Sequence, residues 1–145
     1  MNIVSNIPPE IIYSPKELAR LATGYLHAVV EVNRMIMRRV AVPWLLYSGV
    51  RWRREPWSGR FEEFANYLTC LKRGWGDCDD IAGIRVAERK ERYGDEACKF
   101  EIYWRDDPVT GMPGFHAMVY PGKICFPGDS TLPEDPSRWL GMGAI

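Results

Sequence analysis

The stretch GWGDCDDIAGIRVAERKERYG, from Gly74 to Gly94, constrains this chain most, because it reads as a glycine-rich turn that delivers a cysteine onto the first turn of a helix. Gly74 and Gly76 allow a tight turn, Asp77 suits the N-cap, and a helical pattern runs from Asp79 until Gly94 stops it. A cysteine in that place feels the positive end of the helix dipole. With a cation or imidazolium nearby, such a thiol falls from about 8.5 to roughly 3.5–7.5. Cys78 is therefore the candidate nucleophile. Asp77, Asp79 and Asp80 act the other way by repelling a thiolate, so they must be turned onto backbone N–H groups or be outweighed by a histidine.

The rest of the chain punctuates cleanly around that turn. Residues 1–13 contain Pro8 and Pro9 and no period, which predicts an extended arm on the body. Ser14, Pro15 and Glu17 form a capping box ahead of a long helix over 14–42, with Leu18, Leu21, Tyr25, Val29, Val32 and Ile36 as the buried stripe and Val42-Pro43 as its end. His27 falls off that stripe and reads as an exposed or satisfied helix histidine. Residues 44–57, WLLYSGVRWRREPW, read as an ordered loop with arginines stacked on tryptophans. Ser58 is expected to open a second helix burying Phe61, Phe64, Ala65, Leu68 and Leu71, closed by Lys72-Arg73-Gly74. Within the helix after Cys78, the small residues Ala82, Gly83 and Ala87 predict close approach to a sheet, and Arg85 to Arg92 a solvated, salt-bridged face.

Past Gly94 the period changes from helical to alternating. KFEIYWR (99–105) and FHAMVY (115–120) read as strands around a Pro/Gly loop, and Lys123 to Phe126 as a continuation or third strand, giving antiparallel strands over 99–130. The segment 131–145 is turn-rich but carries Trp139, Leu140 and Met142, which predicts a packed tail. At 145 residues the chain is expected to be one α+β domain. Nineteen basic and nineteen acidic residues give no overall drive toward nucleic acid or an anionic membrane. There is no apolar run long enough for a membrane helix and no signal-peptide pattern at MNIVSNIPPE, so the expectation is a protein of the cytoplasm. Cys70, Cys98 and Cys125 show no CxxC spacing and read as reduced, buried small hydrophobes.

A thiolate nucleophile needs an imidazole to carry its proton, and that imidazole needs an acceptor on its other nitrogen. His116, at the start of a strand after a long loop, fits the first role. Asp129 and Asp135 both qualify for the second, and local physics does not choose between them. A metal site built from Cys78, Asp79 or Asp80 and His116 lacks a fourth ligand at plausible spacing, so no metal and no cofactor is expected.

The order Cys78, His116 and a following aspartate, with the cysteine in GDCDD at a helix start, resembles the transglutaminase-like cysteine peptidases of the papain-like superfold. A narrower resemblance is to the short transglutaminase-like proteins of tailed bacteriophages and prophages. It rests on GVRWRREPW, LKRGWGDCDD, HAMV and EDPSRWLGM, between Gly49 and Met142. The resemblance implies N-terminal helices and a central Cys-bearing helix packed on a small antiparallel sheet. It implies a thiol hydrolase or acyltransferase with a Cys78–His116–Asp135 triad, Asp129 in reserve, acting on an amide or isopeptide bond of a protein or peptide. Trp75 would help line the oxyanion site with the Cys78 N–H, where papain-type enzymes more often use a glutamine. The segment KICFPGDSTLP makes the spacing from His116 longer than the group pattern. Nothing in the sequence points to a calcium site, which favours hydrolysis over cross-linking. The alternative is a non-catalytic virion structural or assembly protein that keeps the fold, located in the host cytoplasm or in the phage particle with other virion proteins as partners.

Overall fold

The computed structural model describes residues 3–6, 14–53, 61–106 and 113–120. In chain order the elements are strand β1 (Ile3–Asn6), helix α1 (Pro15–Arg39), a 3-10 turn (Leu45–Tyr47), strands β2 (Arg51–Trp52) and β3 (Phe61–Phe64), helix α2 (Tyr67–Arg73), strand β4 (Trp75–Gly76), helix α3 (Cys78–Tyr93) and strands β5 (Lys99–Asp106) and β6 (Pro113–Tyr120). They make a mixed helix and small-sheet architecture. β1 pairs antiparallel with β3, β2 parallel with β4, and β5 antiparallel with β6, Phe100 opposite Val119 and Tyr103 opposite His116.

α1 and α3 lie against each other and both pack on the β5–β6 hairpin. Leu26, Val29 and Val30 of α1, Ala82, Val86 and Ala87 of α3, Phe64 of β3, Phe100 of β5 and Ala117 and Val119 of β6 form the main core. A second cluster of Leu45, Ala65, Tyr67, Cys70, Ile81 and Ile84 joins α2, the 3-10 turn and the other flank of α3. α3 is thus the shared wall of both clusters, which is why ten of its residues are buried.

Several expectations hold. α1 starts at the Ser14 capping box with Glu17; Gly94 terminates α3 in a left-handed conformation; His27 is exposed, its ring 4.6 Å from Phe100. Arg92 stacks on Trp44, and Arg53 and Arg73 on Trp75, so arginine–tryptophan stacking reaches beyond 44–57; Arg54 and Trp57 lie outside the described residues. Residues 54–60, the segment 121–130 and the tail 131–145, with Cys125, lie outside the described residues.

Others are corrected. The predicted helix from Ser58 does not run through 61–64: Phe61–Phe64 is a strand, and α2 begins only after Asn66, whose Oδ1 accepts from Thr69 N. The arm includes the strand that pairs with it, Ile3–Asn6. Apolar residues at helical spacing therefore straddle a strand and a helix, and the pairing that decides the matter comes from the other end of the sequence. Leu68, expected inside, is 43 % exposed. Among the described side chains of α1, which do not include Leu18, the buried set is Ala22, Leu26, Val29, Val30 and Asn33, with Leu21 exposed, and the helix ends at Arg39 rather than 42. The stripe is displaced because Asn33 belongs to it: its Oδ1 accepts from Tyr67 N (2.8 Å), so a polar residue of α1 holds the first turn of α2. Close approach at Gly83 is to α1, not to the sheet, since a Cβ there would lie 3.2 Å from Leu26 Cδ1 and from Val29 Cγ1.

The Arg85–Arg92 segment is not the solvated face its composition predicts. Glu88 and Arg89 are buried: Leu45 N donates to Glu88 Oε2 (2.9 Å), and Arg89 Nη2 donates to Asp95 Oδ2 (3.2 Å). On the outer side, Arg34 Nε and Arg38 Nε of α1 donate to Glu91 of α3 (2.5 and 2.9 Å). Hydrogen bonds from both arginines hold the Glu91 carboxyl down at about 2. A carboxyl depressed on folding stabilises the fold above its unfolded value near 4.5 and loses that contribution as pH falls toward 2. Glu91→Gln should accordingly lower the Tm at pH 7 and cease to matter near pH 2. A deficit of equal size at both pH values would show that the α1–α3 clamp is not ionic.

Candidate functional site

The site is assembled by the chain between α2 and α3. α2 closes at Gly74, which sits at φ 80 and whose N–H bonds back to the Cys70 carbonyl. This left-handed position suits glycine, and it reverses the chain into the two residues of β4. Gly76 is required for a different reason. A Cβ there would stand 3.0 Å from Asp80 Cβ and 3.3 Å from Cys70 Sγ, so the backbone runs directly over α2 and the start of α3. β4 is held from outside by β2, Arg51 N donating to Gly74 O (3.0 Å) and Arg53 N to Gly76 O (2.9 Å).

Asp77 caps α3 and Cys78 is its first helical residue, half-buried against the main core. The sequence placed the helix start correctly to one residue. The capping is reciprocal: Asp77 Oδ1 accepts from Asp80 N (3.3 Å) and Asp80 Oδ2 from Asp77 N (3.2 Å). Asp80 reaches further. Its Oδ1 accepts from Ala65 N (2.6 Å) and its Oδ2 from Arg73 Nη2 (2.5 Å), tying the end of β3, the end of α2 and the cap of α3 together. Two of the three aspartates are therefore turned onto backbone N–H groups, as a live thiolate would demand.

Arg73 is the residue that sequence reading undervalued as a mere helix-end cation. Its guanidinium also bonds Glu63 Oε1 (2.9 Å) and the Trp75 carbonyl (2.9 Å), and stacks 3.6 Å from the Trp75 ring centroid. The signal was available as a cation just ahead of three aspartates, seven residues before Asp80. Burial pushes the Asp80 carboxyl well above its usual range, the Asp77 charge adds to this, and the Ala65 N–H and Arg73 pull it back. Burial likewise pushes the Cys70 thiol up, as it does Cys98, so both behave as the inert buried cysteines expected.

Asp77, Asp79 and Asp80 are all buried and each offers an oxygen within 4.8 Å of the others. Asp77 and Asp80 are committed to the capping box and to Arg73, which accounts for two of the three carboxylates; Asp79 takes no part in the cap.

The other proposed members sit differently. His116 lies on β6, the strand of the hairpin that packs against α3, opposite Tyr103. The residues of β6 in the core are Ala117 and Val119, so alternation puts position 116 in the same register set as Met118 and not in theirs. Asp129 and Asp135 lie outside the described residues. Trp75 is on β4 immediately before the cap, its ring occupied by guanidinium groups. Among the described residues no helix is long and apolar enough to cross a membrane. Compared with known protein families, with curated proteins and with solved structures, the chain matches none.

Proposed function

We propose that the chain is a thiol hydrolase of the transglutaminase-like, phage-type group, with Cys78 as nucleophile, His116 as base and then acid, and Asp135, or Asp129 in its place, as the group that orients the imidazole. The observation that carries this reading is Cys78 at the first residue of a doubly capped helix packed on the strand that bears His116. There the helix dipole favours a thiolate and, later, an oxyanion. His116 takes the thiol proton as sulfur attacks an amide or isopeptide carbonyl. The carbon–nitrogen bond then breaks, the amine leaves with that proton, and water hydrolyses the thioester to release the acid and restore the thiol.

A second reading, a non-catalytic virion structural or assembly protein that keeps the fold, is favoured by two observations. Three buried carboxylates surround the start of α3, and position 116 falls outside the core register set of β6. One experiment separates the readings: the pH dependence of Cys78 alkylation by iodoacetamide, mapped by peptide mass spectrometry in the parent, His116→Ala, Asp135→Ala and Asp129→Ala proteins. The hydrolase reading expects a thiol titrating well below about 8.5, raised by His116→Ala and by one of the two aspartate changes. A thiol near its ordinary value, indifferent to His116, sinks it. Cys70 and Cys98, both buried, should stay unlabelled throughout and so certify that each variant is folded.

A further inference from the structure

One stretch of this electrically neutral chain is locally basic. Between Glu31 and Glu55 the sequence holds Arg34, Arg38, Arg39, Arg51, Arg53 and Arg54 and no acidic residue. Arg34 and Arg38 are spent on Glu91 at the far end of α3. Arg53 is not spent in this way. It follows β2, its N–H is bonded to the carbonyl of Gly76, two residues before Cys78, and its exposed guanidinium stands 5.4 Å from the centroid of the Trp75 ring. Among the described residues no carboxylate is paired with it, whereas Arg73, on the same ring, is bonded to Glu63 and Asp80. Trp75 thus carries one arginine committed to the fold and one directed at solvent.

We propose that Arg53, seated on Trp75, is a substrate-recognition residue for an anionic group, so that the acyl donor is an acidic peptide or isopeptide carrying a carboxylate beside the bond attacked. This rests on the reading of Cys78 as nucleophile. The ring holds the guanidinium in place, and cation–π contact leaves its N–H edge available to a carboxylate. Asp80 is already paired with Arg73, so on the Trp75 ring Arg53 is the exposed cation that an anionic group would meet.

The test compares two alkylating agents of nearly equal size, neutral iodoacetamide and anionic iodoacetate. In both, the Cys78 thiolate forms a carbon–sulfur bond and iodide leaves. Each rate constant is divided by that of the same reagent with a small free thiol, and the iodoacetate-to-iodoacetamide ratio is taken for the parent, Arg53→Gln, Arg53→Met and Arg53→Lys proteins. The parent ratio should exceed those of Arg53→Gln and Arg53→Met by about three- to tenfold at low salt, with Arg53→Lys retaining much of it, and the preference should shrink as salt is added. The exposed position of Arg53 makes these changes compatible with folding, and absence of label on Cys70 and Cys98 verifies it. Equal ratios in parent and Arg53→Gln overturn the anion subsite while leaving the nucleophile intact. A Cys78 that neither reagent modifies faster than a small thiol overturns the hydrolase reading and the subsite with it.

Discussion

Asp80→Ala should cost about 3–5 kcal/mol of folding stability, the largest loss expected from any single polar change in this protein. The carboxylate is 1 % exposed and accepts from Ala65 N, Asp77 N and Arg73 Nη2. Alanine removes both acceptor oxygens and all three hydrogen bonds at once. Two backbone N–H groups are left unsatisfied, and a largely buried guanidinium loses one of its two carboxylates. Asp80→Asn separates charge from hydrogen bonding. Its single amide oxygen can serve the Ala65 side or the Arg73 side but not both, so its cost should fall between the parent and Asp80→Ala. Arg73→Met leaves the carboxylate buried without its cation and should also destabilise strongly, while the double variant Asp80→Ala/Arg73→Met should cost clearly less than the sum. Urea midpoints read all four. If the two single changes add, Asp80 and Arg73 do not act as a pair, and the assembly of the cysteine turn described above is wrong.

What the sequence made legible here was local. Ser14 with Glu17, Asp77 ahead of α3 and Gly94 behind it are contacts within five residues of chain, and each lies where the letters put it. The strand FEEF was illegible because Phe61 and Phe64 satisfy a helical period as well as a strand, and the partner that settles the matter, Ile3–Asn6, is 55 to 61 residues away in register. Glu88 and Arg89 looked solvated because charged residues in a helix usually are. Their burial depends on the Leu45 N–H and on Asp95, which no pattern along α3 reveals. The candidate site divides the same way. Cys78 at a helix start could be read from its neighbours, whereas Arg73 acquired its place only when β3, α2 and α3 met at Asp80. His116 could be assigned to a strand, but which set of the β6 alternation it joins follows from Ala117 and Val119 packing on the helices.

Leu26→Ala should be the most costly change in the apolar core, at about 2–5 kcal/mol, because Leu26 is fully buried where α1 crosses α3 and the facing residue is a glycine that cannot expand to fill the space. The same geometry makes a sharper claim about Gly83. Alanine is the better helix former by about 1 kcal/mol, yet its methyl would stand 3.2 Å from Leu26 Cδ1 and Val29 Cγ1, an overlap worth about 1–3 kcal/mol in a packed core. In the parent, Gly83→Ala should therefore be neutral to destabilising by about 2 kcal/mol. In the Leu26→Ala background the overlap with Leu26 is gone, only Val29 remains, and the methyl enters the cavity. There Gly83→Ala should stabilise, giving a coupling of roughly 1–2 kcal/mol between positions 26 and 83. Strict additivity in urea unfolding would mean that α1 and α3 do not meet at Gly83. Because α3 carries Cys78 at one end and packs on both α1 and β6, that contact fixes how the helix bearing the cysteine lies beside the hairpin.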